Sequence, residues 1–98
     1  MLSAKIKYQI FKISILIEKI SIQFALDIIS LIKVLRNERE FIFANQLLKS
    51  ATSIGANVAE AGAGQSKKDF IAKMAIASKE ARETRYLVKT YKRRKINY

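Results

Sequence analysis

The side chains that could do covalent or acid-base chemistry are few in kind. The sequence contains neither cysteine nor histidine. That removes thiolate nucleophiles, disulfides, imidazole and thiolate metal ligands, and every histidine-based relay. Carboxylates remain, but eight acids stand against nineteen bases, a poor composition for capturing a hard cation. Glu60, Glu80 and Glu83 invite a general acid-base reading. No nucleophile, base or metal completes that site, and ion pairing with the abundant lysines and arginines is the simpler role. The expectation is a protein without enzymatic activity, cofactor, metal or small-molecule substrate.

The basic residues make a stronger pattern. Arg82, Arg85, Lys89, Lys92, Arg93, Arg94 and Lys95 face the single acid Glu83, so this stretch supplies +6 of a net charge of +11. The first four recur at spacings of three, four and three, with Tyr86, Tyr91 and Tyr98 interleaved. On a helix that is a face able to track phosphates, with rings available for stacking. The alternative is a solvated face whose cations cap a helix dipole. The whole-chain charge likewise attracts phosphate polyanions or anionic lipid headgroups.

The elements that would carry this face are helices. There is no proline or tryptophan and there are only three glycines, so few points interrupt the chain, and an all-α fold of long helices is expected. At 98 residues the chain is one domain, small enough for association to help its stability. The chain is expected to divide into an N-terminal extension, 1–14, and helices over about 15–36, 41–61 and 67–92. A basic tail, 93–98, follows. The extension alternates at Ile6, Tyr8 and Ile10, as a strand would. The spacing of Ile6, Ile10, Ile13, Ile17, Ile20 and Phe24 favours a helix that runs on into the next segment.

Lys5, Lys7 and Lys12 ahead of Ile13–Ile17 imitate a signal peptide, but the apolar run is short, Glu18 and Lys19 interrupt it, and no cleavage site follows. No uncharged run approaches the roughly 18 residues needed to span a bilayer. Binding at a membrane surface would need a more continuous basic face than Lys5, Lys7, Lys12 and Lys19 provide. Neither secretion nor a membrane is expected.

Helix two places Ala44, Leu47, Leu48, Ala51, Ile54, Val58 and Ala61 on a core face. Beside it Gln46, Ser50, Ser53, Asn57 and Glu60 form a polar ladder, either a ligand groove or, as buried polar groups more commonly do, interhelical hydrogen bonds. Gly55 costs about 1 kcal/mol relative to alanine in a helix interior, which close packing of a neighbouring helix would offset. Gly62-Ala63-Gly64-Gln65 reads as a turn with Gly62 or Gly64 as a left-handed cap, and Ser66 with Asp69 as a capping box. Helix three presents Phe70, Met74, Ala77, Ala81, Thr84, Val88 and Tyr91 as a heptad-like seam, with Lys79 and Glu83 as an i,i+4 ion pair.

The blocks FALDIISLIKVL, ANQLLKSAT, SIGANVAEA, GAGQ and SKKDFIAKMAIASKEARETRYL, spanning roughly Ile15 to Leu87, closely resemble the proteins encoded in intervening sequences of bacterial 23S ribosomal RNA genes. The resemblance implies an antiparallel up-and-down four-helix bundle of the bacterial cytoplasm, non-enzymatic and assembled as a ring-like homo-oligomer, typically a pentamer. The resemblance extends in fold to the accessory protein of diversity-generating retroelements, which looks like a basic pentamer contacting nucleic acid and a reverse transcriptase.

Two departures follow from the same comparison. Met1 to Ser14 is longer than the usual start, and VKTYKRRKINY stands where a fourth helix would begin, as in a truncated or frameshifted frame. Three helices would leave the groove between helices one and three open for another protomer or a partner helix. The functional expectation is a homo-oligomeric bundle that binds RNA or DNA through Arg82 to Lys95. The alternative is a structural or protein-interaction module whose bundle a partner helix completes.

Overall fold

Seven-residue steps of small and branched side chains organise the molecule. Ser14, Ser21, Ile28 and Leu35 are buried on the first helix, Ala44, Ala51, Val58 with Leu47, Ile54, Ala61 on the second, and Ala77, Thr84 and Tyr91 on the third. Such a repeat keeps one seam of each helix turned towards its neighbour over many turns. In a computed structural model describing residues 3–63 and 66–97, these seams join α1 (Ala4–Asn37), α2 (Phe41–Gly62) and α3 (Lys67–Asn97). The fold is an all-α helical bundle about 55 Å long and 18 by 17 Å across. The middle helix packs against both others, while no Cα of α1 comes within 8 Å of one in α3.

No break separates the expected N-terminal extension from helix one. Ser3 caps α1, its Oγ accepting from the Ile6 amide at 3.2 Å, and the helix runs unbroken for 34 residues. The expected isoleucine seam is displaced. Ile10, Ile17 and Phe24 are half-buried, but Ile6, Ile13 and Ile20 are exposed, and Ser14 and Ser21 take the buried positions. Their small side chains let α2 come close, and each hydroxyl donates to a carbonyl of its own helix, Phe11 and Glu18 respectively, at 2.8 Å.

That close approach explains one glycine and leaves another unexplained. A Cβ on Gly62 would stand 3.3 Å from Ser14 Cβ, whereas one on Gly55 would meet nothing within 4 Å. The tight packing expected at Gly55 is therefore found seven residues later. Gly62 is helical and has no positive φ, so it is not the left-handed cap, and Gly64 and Gln65 lie outside the described residues. Ala63 closes α2 instead, its amide donating to Ala59 and Glu60 carbonyls. Ser66 Oγ accepts from the Asp69 amide at 3.1 Å, as the capping pattern expects.

Between α1 and α2 the chain turns through Arg39, at φ 64°. The Glu40 amide reaches back to the Leu35 carbonyl at 2.8 Å and the Arg39 amide to Arg36 at 3.0 Å, the paired closure of a Schellman motif. Two core clusters result. Ile28, Ile32, Leu35, Ala44, Leu47, Ala51 and Tyr91 fill the end near this turn, and Ile54, Val58 and Ala77 the other, with Phe24 packed against both. Leu48, expected in the core, is 39% exposed, because it turns past α2's contacts towards solvent.

Candidate nucleic-acid interface

Helix α3 does not stop at Lys92 but continues to Asn97, so Arg93, Arg94 and Lys95 stand in its final turns and not in a tail. The seven cations then divide. Arg94 pairs with Glu40, and its guanidinium lies 5.3 Å from the Phe43 ring centroid and 5.9 Å from that of Tyr91. Lys95 Nζ is 3.1 Å from Glu38 Oε1, and the Tyr91 hydroxyl donates to the other oxygen of that carboxylate. Phe43 and Tyr91 meet edge to face at 5.8 Å. These contacts pin the end of α3 onto the α1–α2 turn.

The same contacts bias protonation. The Tyr91 hydrogen bond, and after it that from Lys95, hold the Glu38 carboxyl below its ordinary value of 4.5. Reciprocally, the bond to Glu38 pushes Tyr91 and Lys95 up.

Arg82, Arg85, Lys89, Lys92 and Arg93 are different. All five are exposed, and among the described residues none has a carboxylate within 4.0 Å. At 1.5 Å per residue they run about 16 Å along α3. Tyr86, 70% exposed, stands among them.

The polar ladder of α2 turns towards α3 and is used mostly for packing. Thr84 Oγ1 is 2.8 Å from Ser50 Oγ across the interface, Glu60 pairs with Lys73 at 2.8 Å, and the Asn57 side chain donates to the Ser53 carbonyl. Glu60 is thus engaged away from Glu80 and Glu83. Those two line an open cleft of about 590 Å³ between α2 and α3, together with Gln46, Lys49, Lys79, Arg82 and Tyr86. Lys79 and Glu83, expected to pair, come no closer than 4.0 Å; lysine preceding glutamate is the weaker order on a helix. Sequence reasoning missed Lys49 and its place opposite Lys79. The one available signal was its spacing of three from Gln46.

On another side, α1 and α3 flank an apolar groove of about 280 Å³, floored by Ile54 and Val58 of α2 and walled by Ile17, Ile20, Phe24, Met74 and Ala81. Ile20 is 60% exposed there. No helix among the described residues is long and apolar enough to cross a membrane.

Three antiparallel helices with a basic face on the third define an α-helical bundle protein. The chain belongs to the 23S rRNA-intervening sequence protein family, whose model matches residues 14–97. It is also similar to a crystal structure of a protein of unknown function from the S23 ribosomal protein family of Bacteroides thetaiotaomicron. The two share 44% identity with a TM-score of 0.76, over 82% of this chain and 72% of that one. No protein of curated function matches the chain.

Proposed function

We propose that this protein acts by binding, without catalysis, and that its ligand is RNA or DNA held along Arg82, Arg85, Lys89, Lys92 and Arg93. The observation that carries the reading is that these five cations share one exposed stretch and have no carboxylate partner among the described residues. Lysines and arginines left unpaired in a row are suited to phosphates. Arg94 and Lys95, committed to Glu40 and Glu38, hold the helix end in place instead.

Filter binding of ribosomal RNA fragments across a salt series tests this. Five phosphate contacts give a slope of log affinity against log salt of roughly −3.5 to −4.5. Binding that ignores salt, or no binding at low salt, defeats it.

The working form is a homo-oligomer in the cytoplasm, a ring such as a pentamer. Phe11, Ile15, Ile22, Leu26 and Ile29 are all more than 40% exposed on α1, an apolar stripe of the kind that marks an interface. Light scattering on the purified chain checks this, and a stable monomer sinks it.

The α1–α3 groove supports a second reading, a module that receives a partner helix. It calls for an apolar stripe to meet Ile20, Phe24 and Met74. A partner captured equally after nuclease treatment and by an Arg93→Gln variant would favour it over nucleic-acid binding.

A further inference from the structure

We propose that the cleft between α2 and α3 holds one base of a bound single strand, and that its carboxylates select guanine. This rests on the nucleic-acid reading above and adds to it the element that reads sequence.

Glu80 and Glu83 share the cleft with Lys49 and Lys79, yet among the described residues neither carboxylate has a cationic nitrogen within 4.0 Å, and neither accepts a side-chain hydrogen bond. On a surface that attracts a polyanion, unpaired acids repel the ligand unless they accept protons from it. A phosphate offers none, but a base edge does. An ionised carboxylate is an acceptor only, so it complements the edge with the most donors side by side.

Guanine presents N1–H and the N2 amino group together, matching the two oxygens of one carboxylate. Adenine and cytosine set an acceptor nitrogen beside their amino group. Uracil sets its single N–H between two carbonyl oxygens. Each of these turns a lone pair towards the carboxylate.

The rest of the cleft suits a nucleotide. Tyr86 offers an exposed ring face at its edge for stacking, and Lys49 and Lys79 are available to the phosphate of the same nucleotide. Arg82 both lines the cleft and begins the row that continues through Arg85, Lys89 and Lys92. A strand whose phosphates follow that row is thereby led to the cleft.

Fluorescence anisotropy on the full chain at low salt, comparing a short uridine strand with the same strand carrying one guanosine, tests the proposal. The guanosine strand is expected to bind about tenfold tighter, within the discrimination that one bidentate base contact provides. Glu80→Gln or Glu83→Gln erases that margin while strengthening binding of the uridine strand, because a repelling charge is gone. An unfolded variant would weaken both. Tyr86→Ala weakens the guanosine strand, and Lys89→Gln weakens the two strands equally. Equal affinity for the two wild-type complexes, or a margin that survives both glutamine variants, overturns guanine selection and leaves phosphate binding standing. No binding of either strand overturns both.

Discussion

Thr84 Oγ1 lies 2.8 Å from Ser50 Oγ in the middle of the α2–α3 seam, and both side chains are buried. Thr84 also reaches the Glu80 carbonyl at 2.9 Å and Ser50 the Leu47 carbonyl at 3.3 Å. Each hydroxyl proton therefore has an acceptor, and one of the two crosses between helices. Removing one partner costs the link but leaves the other hydroxyl its own-helix carbonyl. Thr84→Val and Ser50→Ala are each expected to lose about 1 kcal/mol. The double variant should lose less than the sum, by about 0.5 kcal/mol or more. Urea unfolding of the four proteins measures this, and strict additivity would remove the link.

The two helical glycines of α2 should respond in opposite directions. Gly55→Ala places a methyl in open space and raises stability by about 1 kcal/mol through helix propensity. Gly62→Ala drives its methyl to 3.3 Å from Ser14 Cβ, where a stiff backbone-proximal atom, and not a flexible tip, must yield. The expected loss is about 1 kcal/mol, and a thermal melt ranks the two variants against the parent.

Arg39 holds a left-handed conformation at φ 64°, costly for a residue with a Cβ. Arg39→Gly keeps the Schellman closure and relieves that cost, with an expected gain of roughly 0.5–1 kcal/mol. Its side chain makes no ion pair among the described residues, so little is lost in exchange. A lower urea midpoint for the glycine variant would contradict this.

Stability should fall at both ends of the pH range. Glu38 is held low in the folded chain, so its contribution is complete above 4.5 and is lost as pH drops through the folded value. Tyr91 and Lys95 are pushed above their ordinary 10.0 and 10.5. Their contribution is complete below those values and is lost as pH rises past the shifted ones. Glu38→Gln should flatten both limbs of a plot of urea midpoint against pH. A variant whose profile matches the parent's would show that the cluster does not stabilise the fold.

Much of this was legible in the sequence because it is local. Seven-residue spacing marks the buried faces of α2 and α3, and the polar run at Asn37 to Glu40 marks the first turn. The basic row on α3 needs only helical period. What escaped depends on which neighbour each face meets. Isoleucine spacing in α1 points to Ile13 and Ile20, but the face that meets α2 carries Ser14 and Ser21, since close approach outweighs bulk there. The same approach needs a glycine at position 62, not 55. The pairings of Arg94 with Glu40 and Lys95 with Glu38 join residues far apart, so no local spacing could separate these two cations from the five that have no such partner among the described residues. The cleft likewise exists only once Lys49 and Lys79 are brought opposite each other.

The pinning of the α1–α2 turn by Tyr91 and Arg94 also sets an order of events during folding. These contacts join residues 53 and 54 positions apart, while α1 and α2 are joined by three residues and can close as a hairpin at little entropic cost. Contacts this local form before the distant ones that α3 supplies, so the hairpin precedes the docking of residue 91. Until α3 docks, the α3-facing side of α2, including Leu47 and Ile54, is uncovered and open to capture by another chain. The turn made earliest is fastened only by residues added some fifty positions later.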